Sequence, residues 1–345
     1  MSLSATPRIG FIGAGRLARC VARRFARAGY AVTAIASRSN ASAAALAAQI
    51  DADLAVRVAA AAAAAAPAGH DGHTDHDGHR ASATPGARCA AVDSPQAVVD
   101  AADLVFITAP DDALGRIAAE LRFSPARAGA QALVHCSGAS SVELLAPARA
   151  QGAATGGFHP LYLFGGGDAD LARIDGCSVT IEADGALKDA LVALAAALGC
   201  HPLSIPAGGR MLYHAAANYA ASFALCNLAE CVELWRSLGF AEGDALRALL
   251  PMLAGTIETA RDKGLANALA GPVSRGDVGI VERQLALLES LGGDHATLYA
   301  LNTRRAVALA RKRASPPPSL DALEQAVDAS LARSLDLARP ARGEP

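Results

Sequence analysis

Lysine is nearly missing from this chain: Lys188, Lys263 and Lys312 are three among 31 basic residues, the remainder being arginine. Any mechanism that needs an amine as acid, base or Schiff-base partner therefore has three candidates. Paired thiols are missing as well. The seven cysteines (20, 89, 136, 177, 200, 226 and 231) include no C-x-x-C pair and no His/Cys spacing of a zinc site, and read as reduced, mostly buried residues of a cytoplasmic protein. No apolar run can span a bilayer, the longest being residues 58–66, and a membrane partner is not expected. A charged n-region followed by an apolar h-region is absent at the N-terminus, so no secretory signal is expected. With a net charge of -2 the chain also lacks the basic excess of a nucleic-acid binder. What it does have is length, since 345 residues suffice for two domains with separate cores.

The most specific local pattern lies at residues 8–18. Arg8 to Ile12 is a short β-rich run, Gly13-Ala14-Gly15-Arg16-Leu17-Ala18 follows, and an Ala/Arg-rich helical pattern then runs to Gly29. In a strand-turn-helix unit this G-x-G-x-x-A pattern suits a dinucleotide. Gly13 permits the turn, Gly15 admits a pyrophosphate, Ala18 keeps helix and strand close, and the free amides of the helix start face the phosphates. The second strand, Tyr30 to Ala36, ends in Ser37-Arg38-Ser39, without the acid that would bind a ribose 2′-OH. One guanidinium and two hydroxyls suit a 2′-phosphate instead, which selects NADP unless Arg38 is simply a solvated loop charge.

Alternating β and α signals continue to about residue 207. Ala41 to Ile50 reads as a helix capped by Ser39 or Asn40. Residues 51–91, with their poly-Ala run and His70, His73, His76 and His79, read as a low-complexity insertion with either incidental or physiological metal affinity. No catalytic metal is expected. Buried strands are expected at 103–110 and 132–138, and shorter ones at 153–160, 177–181 and 202–205. Together they make an α/β, doubly wound sheet whose ligands bind beyond the C-terminal strand ends, where Gly13, Thr108-Ala109-Pro110 and Ser137-Gly138 converge. From Gly208 the β signals stop. Residues 210–238 read as one helix, and 244–263, 277–291, 294–313 and 320–337 as four more, with Asp244, Asp277 and Asp294 placed as N-caps. The domains expected are thus 1–207, nucleotide-binding, and 208–340, all-helical and suited to substrate binding and dimerisation.

Four segments carry a family resemblance: Gly13 to Leu17, Phe158-His159-Pro160-Leu161-Tyr162-Leu163-Phe164, Tyr213-His214-Ala215-Ala216-Ala217, and Gly271-Pro272-Val273-Ser274-Arg275-Gly276-Asp277. Together they resemble the Rossmann-like, DUF2520-containing proteins. These are similar in architecture to 6-phosphogluconate dehydrogenase, ketopantoate reductase, pyrroline-5-carboxylate reductase and F420-dependent NADP reductase. The resemblance implies an NADP-linked oxidoreductase with a Rossmann-type sheet and a helical C-terminal domain of the 6-phosphogluconate dehydrogenase type, forming a homodimer and acting on a small molecule. Ketopantoate is the preferred specific substrate. One departure is Ser222, at the position where the family pattern often has Asn; Asn218 lies one helical turn earlier.

Reduction of a carbonyl or imine needs a hydride and a proton donor. The stretch Arg210-Met211-Leu212-Tyr213-His214 contains no Lys, and Arg210 cannot give up a proton, though it can orient a carboxylate. His214, whose ordinary pKa lies near neutrality, is the leading donor. His214, Asn218 and Ser222 recur every four residues and predict a polar stripe on one helix face, lining a cleft or satisfied inside the fold. His159, held extended by Pro160, is placed to share in proton transfer, to bind a substrate carboxylate, or to bond a loop carbonyl. Ser137 reads as a substrate or nicotinamide contact or as a turn residue, and Arg275 as a carboxylate ligand or a surface charge. Two rival functions stay open: an F420-dependent NADP reductase, and a non-catalytic NADP-binding sensor.

Overall fold

The computed structural model describes residues 3–65, 88–206 and 208–337. It divides into two compact units, with the division between Ala220 and Ala221, later than the boundary expected near residue 207. The His-rich stretch at 70–79 lies outside the described residues.

The first unit is built on strands β1 (Ile9–Ile12), β2 (Val32–Ala36), β3 (Ala90–Val92), β4 (Leu104–Ile107), β5 (Ala132–His135), β6 (Ala154–Pro160), β7 (Ser178–Glu182) and β8 (His201–Ser204). They form one sheet in the order β3-β2-β1-β4-β5-β6-β7-β8. Every pairing is parallel except that of β6 with β7. The first six strands thus follow the doubly wound order whose direction reverses between β1 and β4, the place where such sheets take ligands. Register fixes the site: Ile12 aligns with Ile107, Ile107 with His135, and His135 with Gly157.

Its helices are α1 (Arg16–Ala28), α2 (Asn40–Ala65), α3 (Pro95–Ala101), α4 (Leu114–Glu120), α5 (Ala146–Arg149), α6 (Ala169–Arg173), α7 (Gly185–Ala197) and α8 (Arg210–Ala220). Alternation along the strands feeds two cores. Phe11, Phe106 and Phe158 join Phe25, Leu191 and Leu194 on one face of the sheet, and Ile12, Ile107 and Leu133 join Val98, Leu114 and Leu145 on the other. Phe11 and Phe106 stack at 5.3 Å, and Phe158 meets Phe106 edge-on at 5.5 Å. Two expectations for residues 51–91 are corrected. Poly-Ala has the highest helix propensity, so α2 runs on to Ala65 instead of stopping near Ile50. Ala90–Val92 pairs with β2 as an edge strand too short to have a sequence signature.

The second unit contains α9 (Ser222–Ser237), α10 (Glu242–Lys263), α11 (Leu265–Ala268), α12 (Pro272–Arg275), α13 (Val278–Leu291), α14 (His295–Ala310) and α15 (Leu320–Leu337). Val273, Val281, Leu285, Val307, Leu323 and Val327 form its main core. Arg313 ties the short helices to it through the carbonyls of Ala266 and Ser274, at 2.8 and 2.9 Å. The single helix expected over 210–238 is two helices. Ala221, with φ -115° and ψ -77°, leaves helical geometry, and no Gly or Pro announces the break. Of the three Asp caps, only Asp277 accepts from a helix amide, that of Ile280 at 3.1 Å. Asp244 lies inside the first turn of α10, and Asp294 makes no cap bond.

Phe106, fully buried at the centre of the aromatic cluster, is the most demanding packing position. Phe106→Ala is expected to lower the unfolding free energy by about 3–5 kcal/mol, read as a reduced denaturation midpoint with an unchanged denaturant dependence.

Candidate active site

The edge of the sheet at the β1/β4 junction carries the first part of the site. Gly13 leaves β1 with φ +119°, and a methyl group there would fall 2.6 Å from the Thr108 hydroxyl, so only glycine fits. The Thr108 amide donates to the Ile12 carbonyl at 2.8 Å, and its hydroxyl to the Gly13 carbonyl at 3.0 Å. Gly15 caps α1 without any side-chain bond, and no acidic side chain occupies the first turn. A methyl group at Gly15 would meet nothing within 4 Å, so glycine is not required there by the protein's own packing. The free first-turn amides and the open space beside Gly15 fit an incoming pyrophosphate. Ala14 and Ala18 are buried, Leu17 packs on the core, and Arg16 is exposed with its stem against Gly166.

Beyond β2, Ser37 is half-buried while Arg38 and Ser39 are exposed. The Ser39 hydroxyl accepts from the Ser42 amide at 3.3 Å and starts α2. Among the described residues no carboxylate pairs with Arg38, whereas on α1 Arg23 and Arg27 share Asp53 and Arg24 holds Asp175. A solvated guanidinium beside two hydroxyls fits a phosphate dianion. Thr108, Ala109 and Pro110 follow β4 at the same edge.

The second part is a cluster of imidazoles around Gly138. His135 ends β5, fully buried, and its Nδ1 accepts from the Ser137 amide at 3.2 Å. His159, near the end of β6, places Nδ1 3.1 Å from the Tyr213 hydroxyl. The rings of His159 and His214 lie 6.4 Å apart, edge to face. A methyl group on Gly138 would lie 2.9 Å from His159 Nε2 and equally 2.9 Å from His214 Nδ1, so both nitrogens crowd the same backbone point. Beneath them Arg210, only 4% exposed, opens α8. Its Nε pairs with Glu182 on β7, its Nη1 donates to the Ser137 carbonyl at 2.8 Å, and its Nη2 lies against Gly157. Among the described residues, the buried side-chain nitrogens without a partner are His135 Nε2, Arg210 Nη2 and His214 Nδ1, all in this cluster. Buried polar atoms are ordinarily bonded, so unmet hydrogen-bonding capacity gathered in one place makes this cluster the candidate for ligand contact. Among the described residues no group of three or more His, Cys, Asp or Glu side chains is arranged to hold a metal ion.

Burial, reinforced by the Arg210 charge, pushes His135 and His159 from 6.5 down to about 4. Both rings are therefore neutral near pH 7. A neutral imidazole donates or accepts a hydrogen bond without carrying a charge of its own. Arg210, expected as a substrate clamp, is committed to Glu182 and Ser137. The Ser137 hydroxyl donates to Asp111 at 2.8 Å and accepts from the amides of Ala139 and Ser140 at 3.2 and 2.9 Å. It ties down its own loop, so the turn role prevails over substrate contact.

Of the remaining predicted residues, Asn218 lies half-buried one turn beyond His214 on α8. Ser222 is exposed and begins α9 after the break, so the expected stripe ends at Asn218. Arg275 is an exposed residue of α12 in the second unit. Sequence reasoning placed Gly138 at the ligand end of the sheet but gave no role to His135, Tyr213, Glu182 or Asp111. Only His135 left a signal, as a lone polar residue ending a run whose other members are all fully buried.

Residues 177–306 match the family model of a domain of unknown function, DUF2520. Residues 8–68 match the model described as NADP oxidoreductase, coenzyme F420-dependent. Among solved structures the chain is similar to protein TM1727 from Thermotoga maritima (19% identity, TM-score 0.60, covering 93% of this chain and 98% of that one). It is also similar to the putative NADP oxidoreductase BF3122 from Bacteroides fragilis (20% identity, TM-score 0.58, 88% and 98% covered). A third is the 1-pyrroline-5-carboxylate reductase from Streptococcus pyogenes (14% identity, TM-score 0.56, 95% and 100% covered). No curated protein matches the chain. These likenesses establish the shared fold, a Rossmann-like sheet followed by helices.

The two depressed imidazoles make stability depend on pH in a defined window. Between 6.5 and about 4 the unfolded chain takes up protons that the folded one refuses, so stability falls as pH falls through that range and levels off below it. Each ring contributes at most about 3 kcal/mol to this loss. Denaturation of His135→Gln across the window is expected to show a shallower acid limb than the parent.

Proposed function

We propose that the chain is an NADP(H)-dependent oxidoreductase that reduces a small imine or oxo acid. The observation that carries this reading is register: Ile12, Ile107 and His135 align across β1, β4 and β5. Gly13, Thr108 and the 136–138 loop therefore leave the sheet at one edge, with the nucleotide turn and the imidazole cluster both on it. Gly13, Ala14, Gly15 and Arg16 supply the backbone that holds the pyrophosphate, and Ser37, Arg38 and Ser39 take the 2′-phosphate. Thr108, Ala109, Pro110 and Gly138 border the nicotinamide end. NADPH, when bound, supplies the hydride. His214 delivers the proton to the substrate oxygen or nitrogen, with Asn218 next to it on the helix. Ser222 and Arg275 belong to the second unit and take no part in this assignment.

The likeness to a pyrroline-carboxylate reductase favours a cyclic imine bearing a carboxylate as the first substrate to try; no match described above points to ketopantoate. The model matched by residues 8–68 gives specific weight to one alternative, a deazaflavin as the exchange partner of NADP. We also assign the working form as a homodimer. In α10 only Ala245 and Leu249 are buried, whereas Leu250, Leu253 and Ile257, which share one face, are exposed and form an apolar ridge suited to a second copy.

NADPH oxidation is to be followed with 1-pyrroline-type imines, 2-oxo acids including ketopantoate, and a deazaflavin. Turnover of an imine or oxo acid supports the proposal, turnover confined to the deazaflavin transfers it to the alternative, and binding without any turnover removes it. Arg38→Ala is expected to weaken NADPH binding about 10- to 100-fold, the loss of charge-assisted hydrogen bonds, with NADH binding little changed. His214→Ala is expected to lower kcat by about 100-fold or more while NADPH titration stays at the parent value; full activity in this variant would end its role as donor.

A further inference from the structure

Tyr213 stands outside every role assigned so far, yet its hydroxyl is the group that touches His159 Nδ1, at 3.1 Å, with the two rings edge to face at 5.8 Å. Burial holds the phenol above its ordinary pKa, against the opposing effects of a hydrogen bond with the Thr180 hydroxyl and of the Arg210 charge, so it remains a donor at neutral pH. The other ring nitrogen, Nε2, lies on the opposite side of the imidazole against Gly138, beside His214 Nδ1. The backbone of His159 is fixed independently, because its carbonyl accepts from the buried Thr180 hydroxyl at 3.3 Å and its strand pairs with β7. The charged and titratable groups around the ring are Arg210, His214, Asp111, His135 and Tyr213 itself.

We propose that Tyr213 is the positioning residue of this site: by donating to Nδ1 it locks His159 in the tautomer whose single proton sits on Nε2, directed past Gly138 at the reacting oxygen or nitrogen. Resting on the reductase reading above, the inference divides the labour between two imidazoles. His159 polarises the double bond as a neutral N–H donor, the use to which a histidine kept uncharged by its surroundings is suited. His214 transfers the proton. No bond to His159 forms or breaks, so its ring is unchanged over the cycle. An imidazolium at this position would also donate, but beside buried Arg210 it would meet a like charge in a poorly solvated place.

The test is nitrogen-15 NMR of the His159 ring in the intact protein, together with steady-state kinetics of Tyr213→Phe, which deletes the hydroxyl and keeps the ring. The parent is expected to show a pyridine-type Nδ1 and a pyrrole-type Nε2 at neutral pH, and the variant an averaged pair. With an accepted substrate, kcat of the variant is expected to fall about five- to tenfold, the worth of one orienting hydrogen bond, while KM stays near the parent value. A parent ring protonated on Nδ1 overturns the proposal outright, whether or not the variant folds. So does a variant whose two resonances are unmoved. If no substrate is turned over, the reductase reading fails separately, since the spectra are recorded without one.

Discussion

A single cation taken out of water organises the N-terminal unit. The Arg210 guanidinium is almost wholly buried, and burial of a charge is tolerated only with a partner and with hydrogen bonds to most of its donors. Glu182 supplies the opposite charge from β7, and the Ser137 carbonyl supplies an acceptor from the loop after β5. Those contacts fix the first turn of α8 to two separate parts of the sheet. Everything carried on that turn inherits its position, including Tyr213 and His214. The strand beneath has to make room, which is why residue 157 has no side chain: a methyl group there would lie 1.9 Å from Arg210 Nη2.

The scarcity of lysine acquires a meaning here. An amine in the place of Arg210 would relieve its burial by losing its proton, and the field over the imidazoles would vanish with it. Arginine stays charged, so its contribution adds permanently to burial, the larger cause of the depression of His135 and His159. Yet His214, on the same helix, has its Nδ1 unbonded, with its ring 6.4 Å from that of His159. The site therefore joins two imidazoles held neutral to a third whose Nδ1 has no partner.

How much of this could be read from the sequence follows from the range of each interaction. The turn at Gly13 to Ala18, the strands that bury both faces, and the Ser39 cap are local patterns, and they stood out because period, glycine placement and capping chemistry act within a few residues. The break at Ala221 lay hidden because the flanking residues are ordinary helix formers. Poly-Ala misled in the opposite sense, since low complexity suggested irregularity where propensity gives a helix. The cluster around Gly138 is non-local throughout: Tyr213 meets His159 across 54 residues, and Arg210 reaches Ser137 across 73. No spacing rule links such positions. Arg210 reads from the sequence as a carboxylate clamp and Ser137 as either a ligand contact or a turn residue. The structure gives Arg210 partners on a distant strand and loop, and Ser137 bonds to its own loop and to Asp111.

The break at Ala221 separates two kinds of inheritance. His135, Gly138, His159, Arg210, Tyr213 and His214 all precede it, so the ionisation pattern of the site is written entirely in the first unit. Sequence drift among the helices that follow replaces none of those side chains. Residues confined to one stretch of chain can be inherited as a block, whatever sequence the helical half acquires.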